Sequence, residues 1–335
     1  MSALRFAGPH VVFGRRDACP AIGPSMKRYA FVDYATQAYS ALVALLILCF
    51  HNHTVPDWPI LVGAHLTGLF LIHSLIQWHG RANPGAALDL LRHFYPLLLY
   101  TAFFCETGLI NRMFFPDYLD PLVIRWEQAI FGGQPSVSFM EKLSYLAVSE
   151  LFYMAYFSYY LMIIGVGIAL FVRDRRQFFH FVSVVSFLFY VCYLIYVFLP
   201  VIGSRAFFHQ VESYALPPDS QRFASTDVYP ESVKSGIFFR IMLVIYRIFE
   251  APGAAFPSSH VAVALCTVYF SFRYLRPIRY WHLALAILLC FATVYCRYHY
   301  VVDVLAGLLT AAVLIPVGNW LYSRFGIPRF EPPLS

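Results

Sequence analysis

Two histidines, His260 and His299, stand 39 residues apart, each at the mouth of an apolar run. A membrane crossing takes about 20 residues. That spacing therefore reads as a helix across, a turn and a helix back, with both histidines at one membrane surface. Asp303 follows His299 by four residues, one helical turn on and on the same face. A histidine held by a carboxylate, with a second histidine opposite, suits a nucleophile paired with a general acid.

Other residues at that surface point to an anion. Pro257-Ser258-Ser259-His260 opens an apolar run. Its free backbone N–H groups and two hydroxyls suit a phosphate. The same residues also read as a serine N-cap beside an incidental histidine. Arg205 closes the stretch LPVIGSR and is either an interfacial anchor or an anion clamp. Arg297 stands two residues before His299, and Asp303 also suits a helix start through the dipole. Taken singly, each has a bland reading. Jointly, three separate segments bring two Arg, two His, two Ser and one Asp to one face of a chain that is only 13% charged.

The elements that must carry these residues are membrane helices. The chain of 335 residues is 60% hydrophobic, with mean hydropathy +0.63. A soluble domain has about 25% charged residues. The expected fold class is all-α: a polytopic membrane protein with about eight transmembrane helices. Crossings are expected near 33–50, 59–79, 91–110, 145–171, 178–199, 258–274, 280–297 and 300–322. Residues 1–30 read as a cytoplasmic N-terminal tail rather than a signal peptide. Residues 31–142 hold the leading helices and a Pro- and Gly-bearing connector, 111–142, that lies along the surface. Residues 143–322 form the core, and 323–335 a cytoplasmic tail. Within the long connector 201–257, residues 236–250 suit a short interfacial helix.

Charge sets the orientation. Short loops rich in Lys and Arg lie on the side of both termini, which places the termini in the cytoplasm. His260, His299 and Asp303 then face the extracytoplasmic side, periplasmic or lumenal. The net charge of +6 comes without a dense basic run, so nucleic acid is not expected as a partner. The seven cysteines form no CxxC pair and fall mostly in apolar runs, where they read as small buried residues. No Asp/Glu/His cage stands out, and His51-Asn52-His53 reads as a solvated loop. Neither a metal nor a cofactor is expected. The stripe Tyr153, Tyr156, Tyr159 and Tyr160 reads as packing.

At these residues the chain resembles the type 2 phosphatidic acid phosphatase superfamily. Pro257-Ser258-Ser259-His260 is similar to that family's PSGH signature, and His299-x3-Asp303 to the end of its SR-x5-H-x3-D signature. The resemblance covers roughly 143–322, a six-helix phosphatase-type core. It departs at Ser259, where the family has Gly, and at Thr293, where the family has Arg. Arg297, one turn along if the helix continues, is the expected stand-in. Gly203-Ser204-Arg205, AAFPSSHVAVA and YHYVVDVLAG resemble the inositol phosphorylceramide synthase branch. The resemblance implies a metal-independent lipid phosphatase or phosphotransferase. His299 would form a phosphohistidine, Asp303 would hold its other ring nitrogen, and His260 would act as acid and then base. Arg205, Ser258, Ser259 and Arg297 would bind the phosphate of a membrane lipid. The branch implies transfer of an inositol-type head group. A transporter or a non-catalytic scaffold on the same helices is the alternative. Glu106 and Glu150 are the acidic residues nearest to mid-membrane positions.

Overall fold

The computed structural model describes residues 29–81, 85–205, 229–249 and 251–325. Among these run twelve helices and no strand. The leading helices are α1 (Phe31–Phe50), α2 (Trp58–Arg81) and α3 (Ala86–Ile110). Two short helices follow, α4 (Asp120–Phe131) and α5 (Pro135–Lys142). The long pair α6 (Leu146–Arg173) and α7 (Arg175–Phe198) comes next, then α8 (Glu231–Lys234) and α9 (Ile237–Phe249). The last three are α10 (Ser259–Tyr274), α11 (Arg279–Tyr295) and α12 (Val301–Phe325).

All eight expected crossings are helices, with ends displaced by a few residues. Five of them, α1, α2, α6, α7 and α12, are long and apolar enough to cross a membrane by length and composition. The chain is therefore built as a multi-pass, all-α membrane protein. α10 and α11 are shorter, at 16 and 17 residues, about 24 Å each at 1.5 Å per residue. The α9 helix falls where the interfacial helix is expected. The connector 111–142 is not bare loop. Pro121 stands in the first turn of α4, and Gly132, at φ 69°, closes the helix in the left-handed conformation that glycine adopts without a Cβ clash.

α7 is the most buried of the five and packs against α1, α3, α6, α10 and α12. α6, α7, α10, α11 and α12, with α9 laid on α6, form the six-helix core. α1 and α3 lean on α7 from outside, and α2 turns Ile60, Phe70 and Leu71 outward. A bilayer makes such exposure favourable, since lipid tails are as apolar as the side chains. Asp33 fastens α1 to α3: it takes a hydrogen bond from Arg92 Nη2 at 2.6 Å and another from the Tyr95 hydroxyl at 2.6 Å. A buried pair of this kind costs little only while its partners stay in place.

Main-chain contacts gather the connectors at one end of the bundle. Asn52 Nδ2 donates to the Met113 carbonyl at 3.0 Å, and Leu119 N–H to the Pro200 carbonyl at 2.8 Å. Ala255 N–H donates to the Val201 carbonyl at 2.8 Å. The other end holds the Arg175–Asp89 pair at 3.2 Å and the bond from Arg173 to the Tyr274 carbonyl. Up-and-down helices with the expected parity produce this division.

Candidate active site

The site lies at the connector end, where three segments meet. The first is the stretch after α7. Gly203 has φ 96°, and an added Cβ there would collide with the Tyr298 carbonyl oxygen, so only glycine allows this approach. Ser204 Oγ and Arg205 N–H then both donate to the Arg297 carbonyl, at 3.0 and 2.7 Å. The second is the start of α10. Ser258 is its N-cap, with Oγ accepting from Val261 N–H at 3.4 Å, and its own N–H donates to the Asp303 carbonyl at 3.0 Å. α12 comes this close because residue 307 is glycine: a Cβ there would lie 2.6 Å from the Ser258 carbonyl oxygen. The third is the turn between α11 and α12. The Thr293 carbonyl accepts from both Tyr298 and His299 N–H at 3.1 Å, which ends α11 and sets the nucleophile candidate in place.

The two histidines meet there. His299 Nδ1 is 3.3 Å from Asp303 Oδ2, and His299 Nε2 is 3.3 Å from His260 Nδ1. His260 Nε2 is 3.0 Å from the Tyr156 hydroxyl, which is 2.6 Å from that of Tyr246. One proton assignment satisfies the whole line. A carboxylate only accepts, so His299 carries its proton on Nδ1 and presents a bare Nε2. His260 Nδ1–H then donates to that nitrogen, Tyr156 donates to His260 Nε2, and Tyr246 donates to Tyr156. Burial holds the His299 ring down to about 4, so the uncharged imidazole prevails at neutral pH.

Arg205, His260 and His299 line one small cavity of about 50 Å³, with Tyr246 and Tyr298. The Arg205 guanidinium lies 4.7 Å from the Tyr246 ring centroid and 5.4 Å from that of Tyr298. The Tyr246 and Tyr298 rings stack at 4.1 Å. Next to this polar chamber runs an apolar cleft of about 460 Å³ between α3, α6, α7 and α9. Leu97, Phe157, Leu161, Ile164 and Phe249 line it, and Phe104, Tyr246 and His260 border both spaces.

The remaining expected site residues are distributed differently. Ser258 is fully buried beneath the chamber, where its hydroxyl serves the helix cap. Ser259 borders the apolar cleft, and its N–H donates to the Tyr196 hydroxyl at 3.2 Å. Arg297 does not sit one helical turn beyond position 293. α11 ends at Tyr295, Arg297 has φ 63°, and Arg297 is not among the residues that line the chamber. Its Nη2 donates to the Val137 carbonyl at 3.2 Å and lies 3.9 Å from Glu141. Thr293 is buried, with its hydroxyl on the Cys290 carbonyl.

Tyr156 and Tyr246 escaped the sequence reading as polar partners. A tyrosine at helical spacing in an apolar run gives the same signal whether it packs or hydrogen-bonds. Asp120 and Glu127 of α4 were also missed. Both are fully buried at the site end, and burial pushes each up to about 7. Of the two mid-membrane acids, Glu106 pairs with His65 at 2.7 Å, and Glu150 accepts the Phe238 N–H at the start of α9 at 3.0 Å.

An all-helical, multi-pass membrane protein with a His–His–carboxylate line at one bundle end is the class these features define. The family model described as the PAP2 superfamily matches residues 122–317, more than half of the chain, and the chain belongs to that superfamily. The match takes in most of α4 and all of α5 as well as the long core helices. No curated protein and no solved structure matches the chain. Membership and the long apolar helices fit a membrane phosphatase.

Proposed function

We propose that this protein transfers the phosphoryl group of a phosphate-bearing membrane lipid through a phosphohistidine on His299, without a metal. The observation that carries this reading is the shared chamber: Arg205, His260 and His299 face one space, with Asp303 behind His299. His299 Nε2 attacks phosphorus and the P–O bond to the leaving group breaks. With the anionic phosphate bound, His260 carries a proton on both ring nitrogens; it gives one to the leaving oxygen and becomes neutral, then takes one from the acceptor as the acceptor attacks phosphorus and frees His299. Arg205 holds the phosphoryl oxygens, where charge spreads in a loose transition state. His299 Nε2 and His260 Nδ1, 3.3 Å apart, leave no room for a phosphoryl group between them, so substrate entry must part the two rings.

The apolar cleft supports a lipid as the donor. It runs between α3, α6, α7 and α9 up to His260, so a lipid chain lying in it delivers its head group to the chamber. Lipid tails are already out of water, so the cleft contributes alignment more than affinity. Water as acceptor makes the enzyme a phosphatase. The Gly203-Ser204-Arg205 stretch and the segments around His260 and Asp303 favour an alcohol acceptor and a transferred group of the phosphoinositol type. In this reading residues 143–322 are the catalytic core, and the chamber faces the extracytoplasmic side.

A panel of lipids in nanodiscs tests the reading. The purified protein is given phosphatidic acid, phosphatidylinositol and a short-chain phosphoester, each with and without inositol or ceramide. Release or transfer of phosphate or phosphoinositol from a long-chain lipid, unchanged by chelator, is the expected result. A protein inert toward every phosphate-bearing lipid, or active only after a divalent ion is restored, contradicts it.

A further inference from the structure

We propose that Asp120, on α4, is a positioning residue for phosphoryl transfer: it ties the stretch that carries Arg205 to the turn that carries His299. This inference rests on the reading above. Asp120 Oδ2 accepts the Ile202 N–H at 2.9 Å, and Oδ1 accepts the Gly203 N–H at 3.0 Å. Oδ1 also accepts the Tyr300 hydroxyl at 3.0 Å. Ile202 and Gly203 lead directly into Ser204 and Arg205, and Tyr300 directly follows His299. One carboxylate therefore spans two segments that the chain itself joins only through α8 to α11.

The surroundings make the tie rigid. Asp120 and Tyr300 are both fully buried. Val123 and Ile124 of α4 pack with Val201, Ala255 and Tyr300 in a small apolar cluster of their own. On the same helix, Glu127 accepts the N–H groups of Val301 and Val302, two of the orphan donors at the start of α12. α4 thus grips both sides of the chamber, although none of its residues lines it. Burying a carboxylate is costly unless donors surround it, and three donors converge on Asp120. Their geometry needs an acceptor at both oxygens. An asparagine there sets an N–H against at least one of the donors and loosens the tie without removing volume.

Orthovanadate, which takes the shape of the phosphoryl transition state, is the probe. Its affinity and the kcat for lipid turnover are measured on wild type, Asp120→Asn, Tyr300→Phe and the double variant, all checked for folding by circular dichroism and gel filtration. Asp120→Asn should weaken orthovanadate binding and lower kcat, each by about tenfold or more, within the ~10²-fold that a misplacement of about 1 Å costs. Tyr300→Phe should have a smaller effect in the same direction. The double variant should be no worse than Asp120→Asn, because Tyr300 acts through that carboxylate. If Asp120→Asn does not fold, Tyr300→Phe carries the test alone. Variants with a lower melting temperature but unchanged orthovanadate affinity and kcat would overturn the positioning role and leave the phosphoryl-transfer reading standing. A wild-type protein that binds no orthovanadate would overturn that reading and this inference with it.

Discussion

His299→Ala should abolish turnover while the protein still folds and inserts. Among the described residues, His299 is the only ring in the chamber with a carboxylate on one nitrogen and a proton-free second nitrogen facing the shared space. His260 cannot replace it, because Tyr156 occupies its Nε2 and its Nδ1 faces His299. Asp303→Asn should be nearly as severe. The amide favours the wrong tautomer, and a comparable change behind another catalytic histidine costs on the order of 10⁴ in kcat. Phosphate release from lipid, measured on variants of matched melting behaviour, checks both. Activity above a few per cent in His299→Ala would remove it as nucleophile.

Arg205→Ala should lower kcat/KM by about 10²–10³, the range for loss of one preorganised donor to transition-state charge. Its backbone is fixed by the Arg297 carbonyl and its guanidinium is laid along Tyr246 and Tyr298. That placement is specific to a planar group, so Arg205→Lys should recover only a minor part of the loss. The rival role, an anchor at the headgroups, predicts that lysine is as good as arginine. Steady-state kinetics on the three proteins separates the two, and full activity in Arg205→Lys contradicts the phosphate contact.

The long helices were legible because a bilayer imposes a simple rule: an apolar run of the right length must be a helix that satisfies its own backbone. The amphipathic α9 was legible for a related reason, from apolar residues interrupted by Arg240 and Arg247. The sequence reads α4 and α5 as connector, although Pro121, Gly132 and Pro135 are helix punctuation in the first turn of α4, at its C-terminal cap and at the first position of α5. Short helices lack the long apolar run that made the others plain.

The meeting of His260, His299 and Asp303 followed from spacing, because one crossing and its return fix which residues share an end. Arg297 shows where such reasoning stops. Counting turns from position 293 assumes a continuous helix, and the left-handed residue at 297 ends that assumption. No pattern in the sequence marks it. Asp120 was out of reach for a different reason. Its partners lie 82, 83 and 180 residues away, and only the packing of α4 onto the site end brings them together.

The central claim is a covalent bond between phosphorus and His299, and one measurement addresses it directly. Purified protein is mixed with a lipid labelled in its phosphate, quenched in alkali within milliseconds, digested and mapped. The account predicts label on the peptide that contains His299, stable to alkali, lost in acid, and absent from His299→Ala. Label on any other residue, or turnover with no alkali-stable phosphoprotein at any quench time, would contradict it.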